Sequence, residues 1–342
     1  MVVALPALHL VERAFPNAER RMLTNFPVGH KAAAAAAVLG DAGIVQGYFE
    51  YPVGARGPRV LISLWWKLIR WRPQVVVYLA AARGVRAARR DAAFFKTLGF
   101  PKVIGLPVTN YMQKCRWLPE ENGLEAECDR LGRNLGELGE VRSDEPGAWD
   151  LRLTEAEHAR AAEALAPAGG RPVIVFSIGT KLQANDWGKE RWRELLRRLG
   201  GMYPGRALAF TGVPGESEAS EYVAAGWRET AGPESPVMNL CGALTPRESA
   251  ACFARAELFL GHDSGPMHLA ASVGTRVVAV FSARNLPRVW FPILGRHELI
   301  YHAVDCMGCR LTTCVIEKKK CIESITVDEV VTAVKKMLGA GG

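Results

Sequence analysis

The sequence predicts an α/β chain built on parallel sheets and divided into two domains. Three observations carry this. Short runs rich in β-branched and aromatic residues alternate with helix-length segments along the whole chain. One unit of the alternation is complete at residues 256–281: an apolar run at 256–260, a polar turn at 261–265, a helix-sized segment at 266–273 and a second apolar run at 276–281. A length of 342 residues suits two domains of ordinary size, and a hydrophobic fraction of 49% is enough to fill two cores.

Taken in order, residues 1–15 read as a helix carrying Val3, Leu5, Leu8, Leu10 and Val11 and closed by Pro16. Residues 18–24 read as a strand, 31–39 as an Ala-rich helix and 44–51 as another strand. Residues 59–72, RVLISLWWKLIRWR, form a helix candidate with Trp65, Trp66 and Trp71 among basic residues. It has two readings. One is an interfacial helix resting on the anionic inner face of the inner membrane, with its aromatics at headgroup depth. The other is a helix packed on a sheet with solvated basic ends, favoured by the buried strand expected at 74–79. A basic helix at 83–98, a strand at 102–106 and a polar helical stretch at 114–141 follow. Arg83, Arg86, Arg89 and Arg90 either face an anionic acceptor or form a solvated helix face.

Pro146 and Gly147 mark the start of the interdomain connection, and Thr154 with Glu157 makes a capping box that opens a helix reaching Ala166. A Gly/Pro linker at 167–171 precedes a strong buried strand at 172–178. The expected organisation is a first domain at 1–150, a connection at 151–171, a second domain at 172–325 and a terminal helix at 326–342 that crosses back to the first domain.

The net charge of +8 fits an anionic substrate or membrane surface, and the lack of a long basic run argues against a nucleic-acid binder. No apolar stretch reaches 18 residues and no secretory leader is recognisable, so the expected location is the cytoplasm, peripheral to the inner membrane. Reduced thiols are then the default. Four of the eight cysteines, Cys306, Cys309, Cys314 and Cys321, fall within 16 residues. Their spacing lacks paired knuckles, so structural thiols compete with a zinc or iron–sulfur site.

The chemistry concentrates at turns that follow strands. Ser264 and Gly265 open a helix, and first-turn N–H groups suit phosphate oxygens. Asp263 can accept from sugar hydroxyls, and His268, one turn into the helix, can donate to phosphate. The competing reading is an ordinary helix cap with a structural histidine. A second strand–turn–helix runs from Gly179 through Thr180, Lys181 and Asn185 to Trp187 and Trp192. A third, after the strand at 207–211, carries Glu216 in the first helical turn, where dipole chemistry explains it equally well. Without a G-x-G-x-x-G after a strand, a dinucleotide-dependent oxidoreductase is disfavoured.

The run DSGPMHLAA at 263–271, followed by GTRVVAVFSARNLPRVWFP and preceded by NLCGALT at 239–245, resembles the signature of glycosyltransferase family 9, the ADP-heptose–lipopolysaccharide heptosyltransferases. The resemblance implies a GT-B-type architecture, two Rossmann-like domains facing one another, and inverting transfer from a nucleotide diphosphate sugar, ADP-heptose, to a lipopolysaccharide core or other surface glycan. It implies donor contacts from Thr180, Lys181, Asn185, Glu216, Leu244, Asp263, Ser264, Gly265 and His268, with Leu244 on the nucleobase and no required cofactor. Departures are visible. Phe281-Ser282-Ala283-Arg284 stands where the family has a Phe-Gly-x-Thr-like turn, so its Gly and Thr are missing, Asn185 stands for a Lys, and Gly188 stands for a Pro. Residues 1–8 match the family's first helix, which places its first strand and catalytic Gly-Asp turn before Met1. No residue of this chain is therefore assigned as base, and either a late start or an inactive sugar-nucleotide-binding paralogue accounts for it.

Overall fold

The computed structural model describes residues 1–26, 33–54, 57–100 and 102–339. Contacts divide the chain into two compact units, Met1–Trp149 and Asp150–Gly342. The helical connection expected at 151–171 therefore belongs to the second unit.

In the first unit a 3-10 turn at Val2–Ala4 leads into α1 (Leu5–Ala14), with Pro6 in the first turn, where a missing N–H costs nothing. β1 (Arg21–Asn25), α2 (Ala35–Leu39), β2 (Gly47–Tyr51), α3 (Pro58–Trp71), β3 (Val76–Val77), α4 (Val85–Thr97) and β4 (Val103–Ile104) follow. Lys31 and Ala32, the start of the expected Ala-rich helix, lie outside the described residues. β1 pairs in parallel with β2, and β3 with β4, as two separate two-stranded sheets. The strand expected to be buried at 74–79 is reduced to two half-buried residues with one partner. It still separates two layers. Val75, Val77 and Leu79 pack with Ala7, Leu10, Leu131 and Leu135, while Val76 and Tyr78 pack with Leu64, Leu68 and Phe95.

The stretch 114–141, expected to be helical throughout, is interrupted. After α5 (Asn110–Gln113), β5 (Trp117–Leu118) and β6 (Gly123–Leu124) form an antiparallel hairpin before α6 (Glu127–Asn134). Pro119 and the left-handed Asn122 (φ 46) turn the chain there, and such residues favour turns over helix interior.

The second unit opens with α7 (Glu155–Leu165), whose Thr154–Glu157 capping box is formed as expected. Then come β7 (Val173–Ser177), α8 (Lys189–Met202), β8 (Ala207–Phe210), α9 (Ser217–Thr230), β9 (Val237–Asn239), α10 (Pro246–Ala254), β10 (Leu258–His262), α11 (Gly265–Ser272), β11 (Val277–Val280), β12 (His297–Ile300), α12 (Lys320–Glu323) and α13 (Val327–Leu338). All six strands are parallel, in the order β12-β11-β10-β7-β8-β9. The chain thus steps outward from β7 to β9, then returns to the other side of β7. The order reverses between β7 and β10, and such reversals are where doubly wound sheets bind ligands.

Every residue of β7, β8, β10 and β11 is buried, which is why these strands read as unbroken apolar runs. Leu258 and Leu260 face a cluster with Trp192, Leu195 and Trp227, whereas Phe259 turns the other way to meet the ring of Phe253 at 5.3 Å. Val330, Val331, Val334 and Met337 of α13 enter the core of the second unit.

Arg247 fastens α10 to the start of this unit. It is 5% exposed, donates to both carboxylate oxygens of Glu157 at 2.5 and 3.0 Å, and reaches the carbonyls of Leu151 and Arg152 at 2.9 Å. Arg247→Leu removes the guanidinium from Glu157, which keeps only its Thr154 cap, and from two carbonyls. We expect a loss of about 3 kcal/mol, measured as a lower urea midpoint.

Candidate functional site at the carboxyl edge of the second sheet

Five loops meet along the carboxyl ends of the strands, joined by hydrogen bonds or, between the β7 and β8 loops, by close side-chain contact. The β9 loop joins the β8 loop through Gly242 N–H to the carbonyl of Gly212 at 2.9 Å. The β8 loop joins the β7 loop through Glu216, whose carboxylate accepts from Val213 N–H at 3.2 Å and lies against Gly179 and Gly212. A Cβ at either glycine would overlap that carboxylate. The β7 loop joins the β10 and β11 loops through Asn185. Its amide donates to the carbonyl of Asp263 at 3.4 Å and accepts from the Ser282 hydroxyl at 2.6 Å.

Beneath these ties lie polar groups with no protein partner. The hydroxyls of Ser177 at the end of β7, Thr211 just after β8 and Ser264 at the N-cap of α11 are buried and unpaired among the described residues. A buried polar group normally finds a partner, so three orphans on one sheet edge mark a place for a polar ligand. Ser264 is extended (φ −151, ψ 168) and makes no side-chain cap bond, which leaves the first-turn N–H groups of α11 open. Thr180 bonds back to the backbone of Leu182 at 3.3 Å. Beside it the exposed Lys181 has no carboxylate partner among the described residues, and partial burial lowers its pKa. Leu244 is half-buried, one residue before the Thr245 cap of α10 on the β9 side.

The charges differ from the expected pattern. His268, expected as a donor to phosphate, has its pKa lowered by burial to about 3. At neutral pH it is an uncharged donor. Burial raises Asp263 to about 6, against the lowering influence of the Arg284 charge and a hydrogen bond from Asn285. Arg284 is itself held by the carbonyls of Leu311 at 2.7 Å and Arg310 at 2.9 Å. Asn185 is 5% exposed, and its amide is engaged on both sides, so it acts as a strap between loops.

Sequence reasoning missed the keystone, His262. It ends β10, is fully buried, and its Nε2 accepts from the backbone N–H of Trp187 at 3.0 Å and the indole N–H of Trp192 at 3.2 Å. Two donors on one nitrogen require the proton to sit on Nδ1, and burial lowers the imidazole pKa to about 4. Trp187 and Trp192 are in turn core pillars with ring centroids 4.5 Å apart, and Trp187 donates to the carbonyl of Ile325 at 3.0 Å. The one available signal was a polar residue closing an otherwise apolar strand.

Among the described residues no three His, Cys, Asp or Glu side chains converge to hold an ion. Cys309 is exposed, and Cys314 Sγ accepts from Lys319 N–H at 3.4 Å. As placed, the thiols do not fit zinc or a cluster.

The second unit is thus a doubly wound parallel domain with unpaired hydroxyls, an uncapped helix N-terminus and Lys181 along the carboxyl edge of its sheet, an arrangement that suits a phosphorylated ligand. Residues 140–320, more than half of the chain, match the model for glycosyltransferase family 9 (heptosyltransferase), and the chain belongs to this family. Lipooligosaccharide heptosyltransferase 2 of Campylobacter jejuni serotype O:2 is 29% identical over 102 residues, 30% of this chain and 32% of that protein. Its serotype O:6 counterpart is 28% identical over 101 residues. The chain thus spans about a third of the length of the curated relatives it matches. Among solved structures, a family 9 glycosyl transferase of Veillonella parvula superposes with a TM-score of 0.70 at 17% identity, covering 98% of this chain and 93% of that one. E. coli ADP-heptose lps heptosyltransferase II gives 0.66 at 16%, covering 99% and 95%. These likenesses confirm the fold expected from the sequence.

Two stability tests follow from the buried charges. Asp263 binds a proton more tightly folded than unfolded, so its contribution worsens as pH rises from 3.8 to about 6. Above that window the buried carboxylate costs about 3 kcal/mol. Asp263→Asn should melt higher than wild type above pH 6, with the gap closing toward pH 3.8 in thermal scans; an unchanged gap across that range would refute the assignment. His262→Leu orphans two buried N–H groups and should cost about 2–4 kcal/mol in urea denaturation. The shift is opposite in sign for His262: its lowered pKa lends stability above 6.5 that is lost as pH falls toward 4.

Proposed function

We propose that this chain transfers a heptose from ADP-heptose to a hydroxyl of a lipopolysaccharide core or related glycolipid, with inversion at the anomeric carbon. The observation that carries the donor half of this reading is the set of unpaired hydroxyls, Ser177, Thr211 and Ser264, along the sheet edge on which α11 opens. The donor's sugar and nucleotide are taken from the family and from the structurally similar E. coli ADP-heptose lps heptosyltransferase II.

The diphosphate lies against the first turn of α11 and the loop of Thr180, with Lys181 supplying a point charge and neutral His268 a hydrogen bond. Asp263 accepts from sugar hydroxyls, Glu216 from ribose hydroxyls, and Leu244 covers the base. In the transfer the acceptor oxygen bonds to the anomeric carbon as the bond to the diphosphate oxygen breaks. The electron pair leaves with the diphosphate, and the acceptor proton passes to a base that no residue here is assigned to supply. Fixed dipoles and Lys181 stabilise the charge that grows on the leaving group. The reading routes no step through a metal.

Isothermal titration of ADP, UDP, GDP and NAD⁺ tests it. ADP should bind selectively, and Lys181→Ala should weaken it about tenfold, the loss expected for one charge-assisted contact. Equal binding of all four nucleotides, or none, would sink the donor assignment. Binding of ADP without transfer to any lipopolysaccharide acceptor would leave a sugar-nucleotide-binding protein.

A further inference from the structure

The outward face of α3 is chemically unlike an ordinary solvated helix. Leu64 and Leu68 turn inward and pack with Phe49, Phe95 and Leu98. Trp71 also turns in, its ring 5.4 Å from Phe49 and its indole N–H donating to Glu19 at 3.4 Å. On the opposite side Arg59, Ile62, Trp66 and Arg70 succeed one another at spacings of three and four, which places them in one stripe. Ile62 is 55% exposed and Trp66 62%, and Trp65 braces Trp66 edge-on at 5.6 Å. Lys67, next to Trp66, widens the exposed surface.

The helix contains no carboxylate, and Arg59, Lys67, Arg70 and the adjoining Arg72 make no ion pair among the described residues. An isoleucine and a tryptophan open to solvent cost free energy, and a row of unpaired cations around them repels itself. Both penalties vanish against one kind of partner. We infer that α3 docks on an anionic phospholipid bilayer, with Ile62 and Trp66 at the headgroup–acyl boundary and Arg59, Lys67 and Arg70 on lipid phosphates. A second copy of the chain fits worse, because a two-fold contact on this stripe sets the same cations face to face. No helix among the described residues is long and apolar enough to cross a membrane, so this contact is a surface one. It goes beyond the proposed transfer reaction and does not depend on it.

Flotation with vesicles of equal parts phosphatidylcholine and phosphatidylglycerol tests the inference, with pure phosphatidylcholine vesicles as control. The intact chain should float with the anionic vesicles, poorly with neutral ones, and less as salt is raised. Ile62→Ser with Trp66→Ser should abolish flotation at unchanged melting temperature, because both side chains leave the core untouched. Arg59→Ser or Arg70→Ser should weaken partition about fivefold each and flatten the salt dependence. The vesicle-induced blue shift of tryptophan emission should be lost in Trp66→Phe. Flotation unchanged in the Ile62/Trp66 double variant overturns the assignment. So does equal flotation with neutral vesicles, or sedimentation showing a dimer that the double variant dissolves.

Discussion

One buried imidazole holds the ligand edge of the second unit together. His262 closes β10 at the point where the strand order reverses, and it must accept both the amide of Trp187 and the indole of Trp192. The loop that leaves β7 reaches α8 through Trp187, and Trp192 lies in the first turn of α8. The imidazole therefore fixes how that loop lies over the sheet, and with it Thr180, Lys181 and the Asn185 strap. Trp187 carries the same constraint to the far end of the chain through the carbonyl of Ile325, so α13 and the site loop share one core.

The electrostatic character of the edge follows from this burial. Two histidines that might have been cations are neutral, and the one carboxylate at the turn resists ionisation. Attraction for an anion then falls to the backbone dipole of α11, the loose hydroxyls and Lys181. Such groups are already oriented before a ligand arrives, which is the arrangement that favours charge developing on a leaving group.

The second unit was legible because parallel strands buried on both faces leave unbroken apolar runs, and because Thr154, Thr245 and Pro246 cap helices by local chemistry that sequence displays. The first unit was less so. Its strands are short and half-buried, and the hairpin at Trp117–Leu124 depends on Pro119 and Asn122 inside a segment whose polarity reads as helical. At the site, the turn residues and their order were visible. Their protonation was not, since burial depends on what folds over them. His262 was invisible for a related reason: its two donors come from residues 70 and 75 positions away. The α3 helix kept both of its readings, for its inner face packs on the core and its outer face does not.

The carboxylate of Glu216 occupies the space that side chains at positions 179 and 212 would otherwise fill. The three positions are therefore one unit of inheritance. A lineage that acquires a side chain at either glycine must first shorten or redirect the acid, and a lineage that shortens the acid gains room at both glycines at once. A shorter side chain at position 216 thus relaxes the constraint on both glycines in a single step.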